Sequence, residues 1–300
     1  MAPLALLSWS LFTLALSTPA LATPIEKRDS NLARDLATAE ALKQRVTVDP
    51  QGITESWTGN EVCNFTGFYC AAKPDNNELA VASIDFNGYN FGGDQLVLNG
   101  FLDKLTDLAL FHINSNRFFS GPFPESVLGL DLTFLDLRFN QFSGPIPKAV
   151  FSYTELEALF LNNNQFSGKI PHQIGFSSAT YIALTGNQLT GSIPKTLASA
   201  PNLQEILLSY NQLSGTIPRE IGSANNFTIF DAGFNQLTGG VPEVVCKLAT
   251  LQVLNVTGNY LSKPLGPSCQ ALQARGILDV SGNCIPGADN QRSGDECNGQ

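Results

Sequence analysis

Apolar residues recur along the chain in short groups, and each group is followed at a fixed distance by an asparagine. In each unit, two aliphatic or aromatic residues flank one variable residue shortly before that asparagine. The spacings are 24, 24, 23, 24, 24, 24 and 24 residues, for the asparagines Asn116, Asn140, Asn164, Asn187, Asn211, Asn235, Asn259 and Asn283. A period of this length predicts a solenoid, in which each turn buries its apolar residues against the next turn.

Each residue type in the repeat has a structural task. In the unit Leu156–Pro171, the leucines point inward, and the Asn164 side chain can satisfy backbone groups where the strand ends. A Gly-x-Ile-Pro element follows, in which glycine permits unusual backbone angles and proline, lacking an amide donor, resists a wide sheet. The ladder asparagines are therefore interpreted as architectural, and none of them is assigned to binding. The element and its Phe and Val variants occur at Gly121–Pro124, Gly144–Pro147, Gly168–Pro171, Gly191–Pro194, Gly215–Pro218 and Gly239–Pro242.

This pattern predicts an α/β-type leucine-rich repeat solenoid: a curved right-handed superhelix with a concave parallel β-sheet and a convex side of 3-10 and irregular turns. Leu32, Leu36, Ala39 and Leu42 follow a helical period, which predicts a helical N-terminal cap between Asp29 and Arg45. We expect four regions: a signal peptide over 1–22, an N-terminal capping domain over 23–80, repeats over 81–265, and a partial repeat with its cap over 266–300.

The N-terminal 22 residues indicate export. They carry no charged side chain, Leu4–Leu16 is mostly apolar, and Ala20–Ala22 forms a small-x-small cleavage site before Thr23. A membrane anchor is the alternative, which the short run and the cleavage site disfavour. No later stretch approaches the roughly 20 apolar residues that a spanning helix needs. We therefore expect a secreted, extracellular protein without a transmembrane segment.

The charge balance narrows the class of partner. The formal net charge is -9 and the pI is near 4.7. An acidic protein repels nucleic acid and anionic polysaccharide and favours cationic partners. We therefore expect no nucleic acid ligand.

Cysteines and sequons support the same compartment. In an exported chain, the six cysteines are expected to form disulfides, and chain order suggests Cys63–Cys70, Cys246–Cys269 and Cys284–Cys297, although the last four can also exchange partners. Three Asn-x-Thr sequons predict N-glycans at Asn64, Asn226 and Asn255. No metal site and no cofactor are expected, because the cysteines lack metal-ligand spacing and the two histidines lie far from them.

The candidate ligand surface follows from strand alternation. Variable residues of each short strand face the concave solvent side. We expect aromatic residues to anchor a ligand and carboxylates to attract a cationic one; the alternative is that the rings only pack along the sheet. The candidate residues are Phe134, Asp136, Arg138, Phe139, Glu157, Phe160, Tyr181, Glu205, Tyr210, Asp231 and Phe234.

Two further expectations concern this surface. A glycan on Asn255 would obstruct its C-terminal part, so the usable region is expected between the Asn116 and Asn235 turns. Catalysis is not expected, because an open sheet face encloses no cleft that would raise the pKa of a catalytic carboxyl, and no nucleophile or metalloprotease motif is present.

Several stretches resemble the repeat domain of leucine-rich repeat extensins: Cys63–Cys70, Leu105–Phe118, Leu135–Asn140, Phe160–Asn164, and Asn283–Pro286 with Gln291–Ser293 and Cys297. The resemblance covers roughly residues 29–300. It implies a cell-wall or apoplastic binding module for secreted basic, cysteine-rich signalling peptides of the rapid alkalinization factor class. We expect a relative that lacks the Ser-Pro-rich extensin tail of that family, so the resemblance does not imply covalent anchoring in the wall. The alternatives are a defence protein that resembles polygalacturonase-inhibiting proteins and, third, a structural wall component.

Overall fold

The computed structural model describes residues 30–298, except 94–97, 99, 117–118 and 225. The predicted signal peptide over 1–22 lies outside the described residues. The boundaries expected between the caps and the repeats stay predictions.

Short strands alternate with 3-10 helices along the chain, and α-helices occur near the two ends. The α-helices are α1 (Ser30–Arg45), α2 (Pro267–Ala274) and α3 (Gly294–Asn298). In chain order, the strands are β1 (Phe68–Ala72), β2 (Leu79–Asp85), β3 (Leu110–His112), β4 (Ser120–Pro122), β5 (Phe134–Asp136), β6 (Gln141–Pro145), β7 (Ala158–Phe160), β8 (Gln165–Lys169), β9 (Tyr181–Ala183), β10 (Gln188–Gly191), β11 (Glu205–Leu207), β12 (Gln212–Thr216), β13 (Ile229–Asp231), β14 (Gln236–Gly239), β15 (Val253–Asn255), β16 (Tyr260–Leu261) and β17 (Leu278–Asp279).

A ten-stranded sheet, which we call the concave sheet, runs in the order β1-β2-β3-β5-β7-β9-β11-β13-β15-β17. From β2 onward each strand is parallel to its neighbour and is paired with the equivalent residues of the next turn. Only β1 is antiparallel to its neighbour, and it extends the sheet at the N-terminal edge. The predicted parallel sheet of a leucine-rich repeat solenoid is confirmed.

A second, seven-stranded sheet lies on the other flank, in the order β16-β14-β12-β10-β8-β6-β4. This second sheet contains the glycines of the Gly-x-Ile-Pro elements. At these elements we expected proline to keep the coil from extending into a wide sheet. The strands are two to five residues long and end at or before each Ile-Pro pair. Proline therefore limits the length of these strands and does not prevent pairing between turns.

The prolines lead directly into the 3-10 helices of the convex side. Pro147, Pro171, Pro194 and Pro218 each immediately precede such a helix with φ between -60 and -64°. The ring fixes this angle, so the chain turns at the same point in each repeat. The 3-10 helices are Ile53–Ser56, Val62–Asn64, Leu102–Lys104, Glu125–Gly129, Lys148–Ser152, His172–Phe176, Lys195–Ser199, Arg219–Ser223 and Val245–Lys247.

The asparagine ladder joins neighbouring turns through backbone groups. Asn164 Nδ2 donates to Leu137 O of the preceding turn at 2.8 Å and to Leu161 O of its own turn at 3.2 Å. Its Oδ1 accepts the amide of Phe142 in the preceding turn at 3.0 Å. Equivalent bonds occur at Asn187, Asn211, Asn235, Asn259 and Asn283. The architectural role predicted for these asparagines is confirmed.

The apolar core is a continuous stack rather than one central cluster. The middle residue of each three-residue concave strand is buried, as at Leu135 and Leu159, and the rings of Phe142 and Phe166 stack in parallel 6.3 Å apart. Burial of this kind stabilises each turn through its neighbours, so the terminal turns need caps.

The N-terminal cap covers the first turn as expected. Helix α1 contributes Leu42, and Trp57 is 3% exposed, with its ring 5.2 Å from Phe68 in an edge-on arrangement. The indole of Trp57 donates to Thr66 O at 2.9 Å. Arg34 of α1 also pairs with Asp107 at 2.8 Å, which ties the cap to the repeats.

Three disulfides close the ends of the solenoid, and their pairing is the one that chain order suggests: Cys63–Cys70, Cys246–Cys269 and Cys284–Cys297. The bond between Cys246 and Cys269 attaches α2 to the last 3-10 helix. Among the described residues, no helix combines the length and the hydropathy that crossing a membrane requires.

Candidate ligand-binding face

The register of the concave sheet places six of the eleven candidate residues in two rows on one side of the sheet. The first row follows the first residue of each strand, and the second row follows the third residue. The first row is Leu110, Phe134, Ala158, Tyr181, Glu205, Ile229 and Val253. The second row is His112, Asp136, Phe160, Ala183, Leu207, Asp231 and Asn255.

The N-terminal half of the face carries a cluster whose side chains contact one another. His112 stacks on Phe134 with ring centroids 4.5 Å apart, and Phe134 lies 5.2 Å from Phe160. The Arg138 guanidinium lies over the Phe160 ring, 5.0 Å from its centroid. Burial lowers the pKa of His112, which favours the neutral ring in this stack.

Asp136 does not belong to the accessible surface, which corrects the sequence interpretation. Its side chain is fully buried, and Oδ2 pairs with Arg138 Nε at 3.0 Å while Oδ1 accepts the Arg138 amide at 3.1 Å. Burial raises the pKa of Asp136, and Arg138 opposes that rise. The carboxylate therefore orients Arg138 and is not available to a ligand.

Glu205 is in the opposite situation. It is half-buried in the first row, beside Tyr181 and Ile229 on the adjacent strands. Within the described ranges, its carboxylate has no hydrogen bond and no ion pair. Burial raises the pKa of Glu205, and nothing compensates for the lost hydration. A cationic group would supply the missing interaction.

Asp231 lies in the second row of the next strand and is partly engaged. Its Oδ1 accepts the Gly233 amide at 3.0 Å and Asn255 Nδ2 at 2.8 Å. Asn255 is half-buried, and its Oδ1 accepts the Thr257 hydroxyl at 2.6 Å. Asn64 and Asn226, the other sequon asparagines, are exposed. The three glycan positions stay predictions.

Strand alternation placed Phe139, Tyr210 and Phe234 in the short strands, but in the structure they lie outside the strands. Each immediately precedes a ladder asparagine and has a left-handed backbone, with φ of 55, 55 and 53°. The equivalent positions of other turns hold smaller residues, as at Gly186, Asn163 and Ser115. A bulky residue there costs of the order of 1–3 kcal/mol. These aromatic residues are 51, 58 and 45% exposed.

The remaining candidates lie on the same face, and the structure adds one exposed aromatic residue that strand alternation did not predict. Tyr181 is 38% exposed in the first row, and Glu157 is exposed immediately before β7. Tyr69, 56% exposed, pairs with Ser83 and so continues the first row at the sheet edge. Its position depends on the antiparallel addition of β1, for which the repeat pattern contains no signal.

The face offers groups that can bind a partner. Glu205 and Asp231 lie on neighbouring strands of an open sheet, which suits contact with a partner surface. Across the part of the chain that the structure describes, no group of three or more His, Cys, Asp or Glu residues has the proximity to hold a metal ion.

The comparisons with known proteins agree with this geometry. The Leucine Rich Repeat family model matches residues 131–152, 155–176 and 202–224. Leucine-rich repeat extensin-like protein 6 of Arabidopsis thaliana is 50% identical over 88 residues, which is 29% of this chain and 18% of that protein. Leucine-rich repeat extensin-like protein 4 of the same plant is 45% identical over 94 residues, 31% of this chain and 18% of that protein. The chain thus matches less than a fifth of the length of these relatives.

Solved structures extend the likeness to most of the chain. The structure of PEPR1-AtPEP1 has a TM-score of 0.71 and 30% identity, over 84% of this chain and 35% of that chain. A second similar structure is the ectodomain of the Arabidopsis thaliana receptor kinase GASSHO1/SCHENGEN3 in complex with CASPARIAN STRIP INTEGRITY FACTOR 2. It has a TM-score of 0.71 and 25% identity, over 85% of this chain and 30% of that chain.

Fold and repeat together define a plant-type leucine-rich repeat solenoid. Within that class, the chain resembles the repeat domain of the leucine-rich repeat extensin-like proteins.

Proposed function

We propose that this protein is an extracellular binding module whose concave face captures a secreted basic, cysteine-rich signalling peptide in the cell wall or apoplast. The observation that carries the proposal is the combination of exposed aromatic rings with the unpartnered Glu205 carboxylate on one face. Exposed aromatic anchors dominate interface energies, and a carboxylate lacking a partner selects a cation.

Three further observations support it. The GASSHO1/SCHENGEN3 ectodomain, which shares this fold, is described in complex with a partner named as an integrity factor. The net charge of -9 favours a basic partner. The three disulfides suit an oxidising extracellular compartment.

The test is a calorimetric titration of the purified protein with a synthetic, oxidised peptide of the rapid alkalinization factor class, carried out at low and at high ionic strength. We expect saturable binding that weakens with salt, because exposed charges are screened. Glu205→Lys should weaken the binding, whereas Glu125→Lys, on the convex side, should leave it unchanged.

The same preparation separates the alternative functions. Absence of peptide binding together with inhibition of an endo-polygalacturonase would replace the proposal with a defence role. Absence of both would leave the structural role in the wall.

A further inference from the structure

Two exposed aromatic rings form an unusual pair at the C-terminal end of the concave strands. Tyr210 and Phe234 stack in parallel, with centroids 4.5 Å apart and an interplanar angle of 9°. The Phe234 ring also covers Gly258 of the next turn, where an added Cβ would lie 2.7 Å from Cδ1 of the ring. The preceding turn has Gly186 at the equivalent position, where an added Cβ would lie 2.6 Å from Oδ1 of Asn163. The stack of rings therefore ends at Tyr210, whose side chain is 58% exposed.

Folding does not account for these rings. Both are about half exposed, so they contribute little to the core. Both hold the left-handed backbone that glycine occupies at Gly186 and Gly258 without strain. A feature that opposes local stability and is displayed to solvent indicates a role in recognition.

The charges of the same turns select the ligand chemistry. Glu205 begins strand β11, whose turn ends at Tyr210, and its carboxylate has no partner among the described residues. In the N-terminal half of the face, by contrast, the Asp136 carboxylate is already paired with Arg138. A cation is therefore attracted to the β11 and β13 turns in particular.

The protein itself shows which cation suits such a ring. Arg138 lies 5.0 Å from the Phe160 centroid, and Arg292 lies 4.5 Å from the Tyr260 centroid. A planar, weakly hydrated guanidinium stacks on an aromatic face better than an ammonium group does.

We propose that Tyr210 and Glu205 form a subsite for a peptide segment with two cationic side chains, one of them an arginine that stacks on the exposed ring of Tyr210. The subsite rests on the peptide-binding function proposed above. Glu205 and Tyr210 are five residues apart, so the distance between them is at most about 17 Å, the reach of five extended residues. An extended ligand would therefore carry its two cations within about five residues of each other.

The experiment is selection from a displayed library of random linear peptides on the intact protein and on three variants. The variants are Tyr210→Asn, Glu205→Lys and, as a matched exposed aromatic elsewhere, Phe176→Asn, which changes a side chain 68% exposed on the convex side. Asn163 shows that asparagine adopts the required backbone, so Tyr210→Asn should keep or raise the Tm.

We expect the unaltered protein to enrich peptides with paired cationic residues that include arginine. Tyr210→Asn should weaken a selected arginine peptide about three- to tenfold, the range of a stacked cation. Glu205→Lys should shift the selection toward acidic residues, and Phe176→Asn should select the same peptides as the unaltered protein.

Three results would overturn the subsite. Enrichment of peptides without arginine, or an arginine peptide that binds Tyr210→Asn as tightly, refutes the subsite and leaves peptide binding standing. Failure to enrich any linear peptide also refutes the subsite, and the titration with the oxidised, cysteine-rich peptide then tests the binding function separately.

Discussion

The asparagine ladder predicts a large and local loss of stability when one asparagine is removed. The test case is Asn164→Ala in the middle of the solenoid. The substitution removes an acceptor from the buried Phe142 amide and three side-chain donations to backbone carbonyls, those of Leu137, Leu161 and Asn162. It also removes three heavy atoms from a buried side chain, and the space that they leave adds to the loss of stability.

The size of the effect follows from which groups keep a partner. Leu137 O still accepts from Asn140 Nδ2 at 3.0 Å, and Leu161 O still accepts from Asn187 Nδ2 at 3.0 Å. The Phe142 amide loses the side-chain oxygen that faces it. An orphaned buried donor costs about 1–3 kcal/mol, and each lost bond to a satisfied carbonyl costs about 0.5–1.5 kcal/mol. We therefore expect a loss of about 3 kcal/mol, which corresponds to roughly 6–12 °C in Tm.

The assay is thermal and urea unfolding followed by circular dichroism, with hydrogen exchange of the Phe142 amide as the local readout. Exchange matters because a solenoid can open turn by turn. The control is Asn162→Ala, a half-buried asparagine on the concave side of the same turn that lies outside the ladder. Equal, small losses for the two variants, with Phe142 exchange unchanged, would refute the reasoning.

Three other predictions concern the caps and the face. Replacing Cys246 and Cys269 with alanine should cost roughly 3 kcal/mol of unfolding free energy in urea titration, because the bond closes a loop with a sequence separation of 23. Burial raises the pKa of Glu205 in the folded protein above its value in the unfolded chain. The charged carboxylate therefore destabilises the fold at a pH above the folded pKa, and this effect is absent at a pH below the unfolded pKa. Glu205→Gln should therefore raise the Tm near pH 7 but not near pH 3, below the unfolded pKa of about 4.3. Asn255→Gln should remove a glycan, visible by mass spectrometry, and strengthen peptide binding; an unchanged affinity despite glycan loss would count against obstruction.

Much of the fold was predictable because the repeat is a local pattern. The period located the parallel strands of the concave sheet, the ladder asparagines such as Asn164 and the core leucines, since these positions depend only on spacing. The second sheet was not predicted, because pairing between β6 and β8 depends on how closely successive turns stack. That distance is a property of the assembled core.

The candidate site was less predictable, for a similar reason. Strand alternation located Phe134, Tyr181 and Glu205 on the face, but it treated Asp136 as equivalent to Glu205. Composition cannot separate the two carboxylates. The Asp136 carboxylate is buried against Arg138, whereas the Glu205 carboxylate has no hydrogen bond or ion pair to any residue that the structure describes.

The sequence by itself determined that this protein is a solenoid, where its turns begin and end, and that its ladder asparagines are structural. Its local signals suffice because each turn repeats the same short-range geometry. Only the tertiary structure decided which side chains a ligand can reach. Accessibility at Tyr210 and at Glu205 depends on the neighbouring turns, Gly186 and Phe234 for the first, Tyr181 and Ile229 for the second, and these lie more than twenty residues away in the chain.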